Sequence, residues 1–161
     1  MRILAMQVLR RVKECMQLAE MYFQRSFVMP DINYHVRGQK AGVAYLAQNE
    51  VRFNPILLQE NTQDFIHQVV PHEVAHIIAY QQFGRVKPHG MEWQNIMKNI
   101  FGLPPEVRHQ FDTTNTVKHV FTYHCGCQIH HLTVRRHNKI VRDRMRYICK
   151  KCGGTLRKIN E

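Results

Sequence analysis

The order of apolar and polar positions predicts helices around a small sheet before residue 117. Residues 2–26 carry apolar side chains at mixed three- and four-residue spacings with charged residues between them, which is typical of an amphipathic helix. Three stretches rich in β-branched and aromatic residues, 32–37, 43–47 and 51–54, are predicted strands. Turn residues around position 49 predict that 43–54 forms a hairpin.

Helical spacing returns after residue 54. Thr62 is the predicted N-cap of a helix that reaches Pro71, where the missing N–H either kinks one helix or begins a second. The stretch 72–82 should end at Gly84, and a further helix should cover about 91–101. After a polar connector over 106–117, strands are predicted at 119–123 and 129–135.

The charge is concentrated near the C-terminus of the 161-residue chain, whose formal net charge is +11. Residues 1–117 contain 12 Lys and Arg against 10 Asp and Glu, whereas 118–161 contain 11 against 2. Such a local excess favours a polyanion such as nucleic acid over cations that only aid solubility. No apolar run would span a bilayer and no signal peptide pattern is present, so we expect a cytoplasmic protein without a membrane partner.

The most informative motif is His72-Glu73-Val74-Ala75-His76. Two histidines four residues apart share one face of a helix, so both rings can bind one zinc ion. Glu73 lies at the rim of that face, where its carboxylate can accept a proton from water at the metal without binding the metal. The alternative, two incidental histidines on a buried helix, would bury two imidazoles and a carboxylate at a high cost in free energy.

A third ligand is expected within residues 89–93. The metzincin pattern is excluded because it needs a histidine where this chain has Gln82. Glu92 is explained as a first-turn acid that the helix dipole favours. We therefore favour His89, with Gly90 giving its backbone room to approach the metal. The fourth coordination position would hold water, as in catalytic zinc sites.

Four of the five cysteines form two close pairs in the basic segment: Cys125, Cys127, Cys149 and Cys152. Without a secretory segment, such pairs indicate a metal site rather than disulfides. Four thiolates on two turns joined by a β-hairpin are typical of a zinc ribbon, whose closed shell makes the metal structural. Nearby histidines are alternative ligands, but four sulfurs complete the shell and we interpret these histidines as surface or hairpin residues: His124, His130 and His131.

Basic residues between the two cysteine pairs are interleaved with β-branched residues. On a ribbon hairpin they would line one face and contact backbone phosphates. The candidate contact residues are Arg135, Arg136, Lys139, Arg142, Arg144 and Arg146. The segment has no base-reading motif, so we expect it to bind DNA without sequence specificity.

Taken together, the two histidine motifs and the cysteine-paired basic tail resemble the SprT family of zincin-like metalloproteins. The resemblance extends to Arg37-Gly38, to residues 41–44 and to Asn54-Pro55, and so covers nearly the whole chain. The family includes Spartan, a protease that cleaves proteins crosslinked to DNA. The resemblance implies an α+β fold, with a zincin-like metalloprotease domain over residues 1–117 and a basic β zinc ribbon over 118–161.

For the site, the resemblance implies that Glu73 is the catalytic acid/base and that the zinc ligands are His72, His76 and His89. The function predicted is that of a zinc metalloprotease that cleaves DNA-bound or DNA-crosslinked proteins. Two alternatives stay open: a nucleic-acid-binding or regulatory protein with an idle zincin site, and a metallohydrolase acting on a bond other than a peptide. The intact Glu73 favours an enzyme. Four residues are candidates for stabilising the oxyanion: Tyr45, Tyr80, Arg85 and Lys87.

Overall fold

Helices and short strands alternate along the chain in the computed structural model, which describes residues 1–116 and 120–159. The chain divides into two units, Met1–Thr116 and Val117–Glu161. Each unit has its own cluster of buried apolar residues. The predicted α+β class with an appended ribbon is confirmed. Within the described residues, no helix combines the length and the apolar character needed to cross a membrane.

The first helix, α1 (Arg2–Phe23), is amphipathic as predicted but ends before residue 26. It stops because Gln24 adopts a left-handed conformation with φ 51° and donates its N–H to the carbonyl of Glu20. The buried face of α1 contains Val8, Val12, Cys15, Met16 and Ala19. Burial raises the pKa of the Cys15 thiol to about 12, so this cysteine is an unreactive core residue.

The sheet of the first unit has three short strands, β1 (Asp31–Asn33), β2 (Gly42–Tyr45) and β3 (Glu50–Phe53). The central strand β3 pairs in parallel with β1 and antiparallel with β2. The predicted hairpin over 43–54 is therefore confirmed. Because β2 pairs with β3 on one side only, it is an edge strand of this sheet.

The helical segment after the sheet begins earlier than predicted, as α2 (Pro55–Glu60). Its N-cap is Asn54, whose side-chain oxygen accepts hydrogen bonds from the backbone N–H groups of Ile56 and Leu57. The prediction that Thr62 caps a helix is wrong. Thr62 instead donates its hydroxyl to the carbonyl of Leu58, because the chain is already helical when it reaches this residue.

Pro71 lies inside a continuing helical path. That path consists of α3 (Thr62–Asp64), a wider π-helical turn (Phe65–Val69) and α4 (Val70–Phe83), which contains the proline. The wide turn directly precedes the proline, where an ordinary helix would lack one hydrogen bond. As predicted, α4 ends at Gly84, which has φ 75° and donates its N–H to the carbonyl of Tyr80.

The helix predicted over about 91–101 is confirmed as α5 (Met91–Asn95) followed by a π-helical turn (Ile96–Ile100). In the first unit α4 packs on α1, the sheet and α5, and its buried residues lie at the centre of the core. An apolar helix surrounded in this way holds any side chain on its remaining face in a fixed place.

The second unit has an antiparallel sheet with the strand order β5-β4-β6, formed by β4 (Val120–His124), β5 (Ile129–Thr133) and β6 (Arg157–Lys158). The segment after β5 was predicted to belong to a hairpin. It is instead a helix, α6 (Val134–Asp143). Its apolar positions explain the error. His137 and Ile140 are three residues apart and pack on the sheet, a spacing that suits a helix and not a strand.

Candidate metal centre and active site

Three imidazoles converge beside α4 in the first unit. The helix places His72 and His76 on one face, and the loop before α5 brings in His89. Their Nε2 atoms are separated by 3.3 Å between His72 and His76, 3.1 Å between His76 and His89, and 3.0 Å between His89 and His72. Among the described residues, this trio and a cysteine cluster are the groups able to hold a metal ion.

The imidazole trio fits zinc in both spacing and protonation. Nitrogen ligands about 2.0–2.1 Å from a tetrahedral zinc ion lie about 3.4 Å from one another, close to the observed separations. Burial, and after it the charge of the neighbouring imidazoles, lowers the pKa of His72 to about 4 and that of His76 to about 3. Burial also lowers the pKa of His89. At neutral pH all three rings are therefore uncharged and can offer a lone pair to a metal.

The tautomer of His72 is set by the connector that follows α5. The Nδ1 atom of His72 lies 3.1 Å from the carbonyl oxygen of Glu106. Because a carbonyl only accepts, Nδ1 carries the proton and Nε2 is left free to bind a metal. The segment 106–117, which the sequence identifies only as a polar connector, thus orients one of the three rings.

The loop that presents His89 has a left-handed turn at the histidine itself, with φ 56°. Gly90 donates its N–H to the carbonyl of Lys87 over 2.9 Å. A Cβ atom at position 90 would lie 2.9 Å from that same carbonyl oxygen. The glycine is therefore needed for the close approach of the backbone to the Lys87 carbonyl, in the loop that carries His89.

Glu73 lies next to the imidazole trio in sequence but its carboxyl group points to the edge strand β2. The residue is 8% exposed and accepts a hydrogen bond from the backbone N–H of Ala44. A Cβ atom at Gly42 would lie 2.7 Å from Glu73 Cγ and 2.8 Å from Oε1. Burial raises the pKa of Glu73 to about 8, against the opposing effects of the Ala44 N–H and the Lys40 ammonium. The group is poised to exchange a proton near neutral pH.

A cleft of about 830 Å³ runs beside the trio and Glu73. It is lined by β2 with the loop before it and by residues of the connector at 106–109. The residues that the sequence offered as oxyanion stabilisers, Tyr45, Tyr80, Arg85 and Lys87, do not line it. Two other cations do, Lys40 and Arg108. Closeness in sequence to the motif did not identify the cleft residues, because part of the lining precedes α4 in the chain and part follows it.

The second cluster in the chain is made of cysteines in the ribbon. The Sγ atoms of Cys125 and Cys127 are 3.3 Å apart, and those of Cys127 and Cys149 are 3.8 Å apart. With Cys152, the four sulfurs lie within 4.8 Å of one another. Sulfurs about 2.3 Å from a tetrahedral zinc ion would be about 3.8 Å apart, so the cluster fits a closed four-thiolate shell.

The histidines near the ribbon cysteines do not join this shell. His124 and His131 are exposed on the ribbon sheet. His130 has its Nε2 atom 3.1 Å from the Sγ atom of Cys125, within hydrogen-bonding distance. A contact of that kind orients a sulfur ligand from outside the coordination shell, a role that the sequence interpretation of His130 as a hairpin residue missed.

The candidate phosphate-contacting residues lie on and after α6, not on a hairpin. Four are on the helix, Arg144 is its left-handed C-cap with φ 51°, and Arg146 follows in an extended segment. Opposite them, the ring of His137 stacks on Phe121 with a centroid distance of 3.5 Å. The helix is therefore amphipathic, with its polar side free of the ribbon core. Its four basic residues are Arg135, Arg136, Lys139 and Arg142.

One residue of the site escaped the sequence analysis. Trp93, in the first full turn of α5, is 1% exposed and its ring packs against all three imidazoles. It appeared in the sequence only as the end of the motif at residues 89–93. The available signal was that the only tryptophan of the chain lies four residues, or one helical turn, after a predicted ligand.

A pair of histidines on a buried helix, a third from the next loop and a separate buried glutamate define a zincin-like site, here in a chain that also has a zinc ribbon. Comparison with known families agrees with this class. The SprT-like family profile matches residues 12–109, and the SprT-like zinc ribbon domain profile matches residues 119–160. The chain belongs to the SprT-like family.

Relatives of similar length are named Protein SprT. The chain is 58% identical over 152 residues to Protein SprT of Pasteurella multocida, which covers 94% of this chain and 92% of that protein. It is 54% identical over 160 residues to Protein SprT of Actinobacillus succinogenes, with 99% and 94% covered. No solved structure matches the chain.

Zinc removal should unfold the ribbon but not the first unit. The described ribbon buries four residues in its core, against 23 in the first unit, so only the ribbon depends on metal for folding. With a strong chelator, amide NMR signals from residues 120–159 should lose their dispersion while those from 1–116 keep it. Cys149→Ser should have the same effect, and Cys15→Ala, the matched control, should not. A dispersed ribbon spectrum in the chelated protein would contradict a structural zinc.

Proposed function

We propose that the protein is a zinc peptidase that acts on proteins bound or crosslinked to DNA. The observation that supports the catalytic part is that the imidazoles and the Glu73 carboxyl group occupy separate places beside α4. Three neutral imidazoles converge on one point, while the Glu73 carboxyl group is held apart from them by β2. A site that only stores a metal has no need of a separate buried carboxyl group at the wall of an open cleft.

His72, His76 and His89 would hold the zinc ion. Zinc, when bound, supplies a Lewis acid that polarises the substrate carbonyl and acidifies water in the site. Glu73 accepts one proton from the attacking water, whose oxygen forms a bond to the carbonyl carbon. As the C–N bond breaks, Glu73 returns that proton to the leaving nitrogen. One water is consumed, one carboxyl group and one amine are formed, and Glu73 ends in its starting state.

The position of the Glu73 carboxyl group supports this role. The Ala44 N–H and the open space above Gly42 hold it at the cleft wall, beside the imidazoles. The cleft, at about 830 Å³, has room for part of a polypeptide substrate. Lys40 and Arg108 place positive charge in the lining of the cleft, where they can attract the anionic groups of a substrate.

The DNA-directed part of the proposal rests on the ribbon. Residues 118–161 carry 11 basic against 2 acidic side chains, and four thiolates with one zinc ion reduce that net charge by only about 2. On α6, Arg135, Lys139 and Arg142 form one row, about 10 Å long at 1.5 Å per residue. Such a row can contact successive phosphates of a nucleic acid without reading its bases.

The test of the catalytic proposal is Glu73→Gln. The amide keeps the size of the carboxyl group but cannot accept the proton, so cleavage of a protein crosslinked to single-stranded DNA should fall by about 10²–10⁴-fold. Zinc content should be unchanged, because Glu73 is not a ligand. Wild-type and variant rates would be measured by gel with and without DNA. Equal cleavage by both would refute the mechanism, and inactivity of the zinc-loaded wild type would favour a regulatory protein with an idle site.

A second variant tests the placement of that carboxyl group. In Gly42→Ala the new Cβ atom would come within 3 Å of Glu73, so the side chain must move away from Ala44. We expect kcat to fall at least tenfold, with zinc content and KM little changed. Tyr45→Phe, on the same strand but outside the cleft lining, is the matched control and should retain activity. A Gly42→Ala protein as active as wild type would show that this contact does not position Glu73.

The salt dependence of DNA binding tests the row on α6. Replacing Arg135, Lys139 and Arg142 together with Gln should lower the slope of log K against log salt concentration by about one for each lost cation, for any DNA sequence. The control carries the same charge change in the first unit, at Arg2, Lys13 and Lys98. Fluorescence anisotropy with a labelled oligonucleotide would measure both. An equal loss in the control would show that net charge, and not the face of α6, binds DNA.

A further inference from the structure

We propose that Trp93 is a positioning residue of the metal centre, a wall that sets the orientation of all three imidazoles before the metal binds. The proposal rests on the imidazole trio as a metal site and does not depend on peptidase activity. Nothing in the motif itself assigns a role to this residue.

The ring of Trp93 contacts each imidazole at close to van der Waals distance. Its centroid lies 4.8 Å from that of His72 and 4.7 Å from that of His89, with both rings steeply inclined to the indole at 63° and 82°. The ring of His76 lies 5.5 Å away and is stacked at 25°. Two edge contacts and one stack around one rigid plane leave each imidazole little freedom to rotate.

The indole itself is fixed. It is 1% exposed, and its Nε1–H donates to the backbone carbonyl of His72 over 3.2 Å. This bond links α5 to the turn of α4 that carries the first histidine of the motif. The indole ring is therefore fixed in position as well as in orientation relative to α4.

His89 is the ring that most needs such support. Its backbone is left-handed, a strained conformation for a non-glycine residue, and it lies in a loop. Two residues of α5 hold it there. Gln94 donates its side-chain N–H to the carbonyl of His89 over 3.0 Å, and Trp93 packs against its ring. Without the indole, this imidazole would sample other rotamers and zinc binding would have to restrict them.

The proposal predicts a graded loss of zinc affinity at the histidine site. Trp93→Phe keeps an aromatic wall but loses the Nε1–H, and we expect affinity to fall about tenfold. Trp93→Leu loses both, and we expect a fall of about 100-fold, the upper range for groups that orient metal ligands. Phe101→Leu is the matched control, because it removes a buried ring from the same core without touching an imidazole. It should stay within twofold of wild type.

Affinity would be measured on the full chain by competition with a chromophoric zinc chelator. His76→Ala identifies which of the two zinc ions belongs to the histidine site, and the four-cysteine site serves as an internal reference that the Trp93 variants should not change. Loading with Co²⁺ adds a second readout, since a change in imidazole orientation shifts the visible d–d bands. Thermal unfolding of the metal-free variants separates ring positioning from loss of stability.

Wild-type affinity and an unshifted Co²⁺ spectrum in Trp93→Phe and Trp93→Leu would overturn the proposal. An affinity loss in Phe101→Leu equal to that in Trp93→Leu would also overturn it, because general core packing would then explain both. If Trp93→Leu does not fold, Trp93→Phe against Phe101→Leu still decides between the two explanations.

Discussion

The candidate site of the first unit depends on three uncharged imidazoles whose ring nitrogens lie 3.0–3.3 Å apart. Lone pairs directed at one point repel each other unless a cation lies between them, so the fold must impose their convergence. The period of α4 aligns two rings, a left-handed loop residue brings the third, and the Glu106 carbonyl fixes a tautomer. These contributions come from three separate parts of the chain.

The carboxyl group of Glu73 is positioned by a different element, the edge strand β2. The edge strand β2 faces Glu73 with Gly42 and with the backbone N–H of Ala44, which donates to the carboxyl group, so the side chain lies against the strand. A carboxylate that bound the metal would close the coordination shell and could no longer accept protons from water. The sheet of the first unit, although only three strands wide, therefore decides whether the centre is of the open or the closed kind.

Periodicity and spacing were enough to predict the elements that local sequence controls. The amphipathic α1, the β2–β3 hairpin and the Gly84 end of α4 all follow from residues close together in the chain. The same reasoning missed Asn54 as a cap and α6 as a helix, because turn chemistry and short basic runs fit more than one local structure. It also missed Glu106, Gly42 and Trp93. Each of them contacts a residue of α4 that lies 17 or more positions away in the chain, and spacing does not encode such contacts. Trp93 is also close in sequence to His89.

The two clusters would need metal for different physical reasons. The first unit has a core large enough to fold by itself, so a metal at its histidines would not be needed for folding. The ribbon buries few side chains, and zinc supplies the stability that its core lacks. His137 and Ile140 are the residues of α6 that pack on the ribbon sheet, and its basic residues lie outside that core. This concentration of positive charge outside the core is the feature of the ribbon on which the proposal of an anionic partner rests.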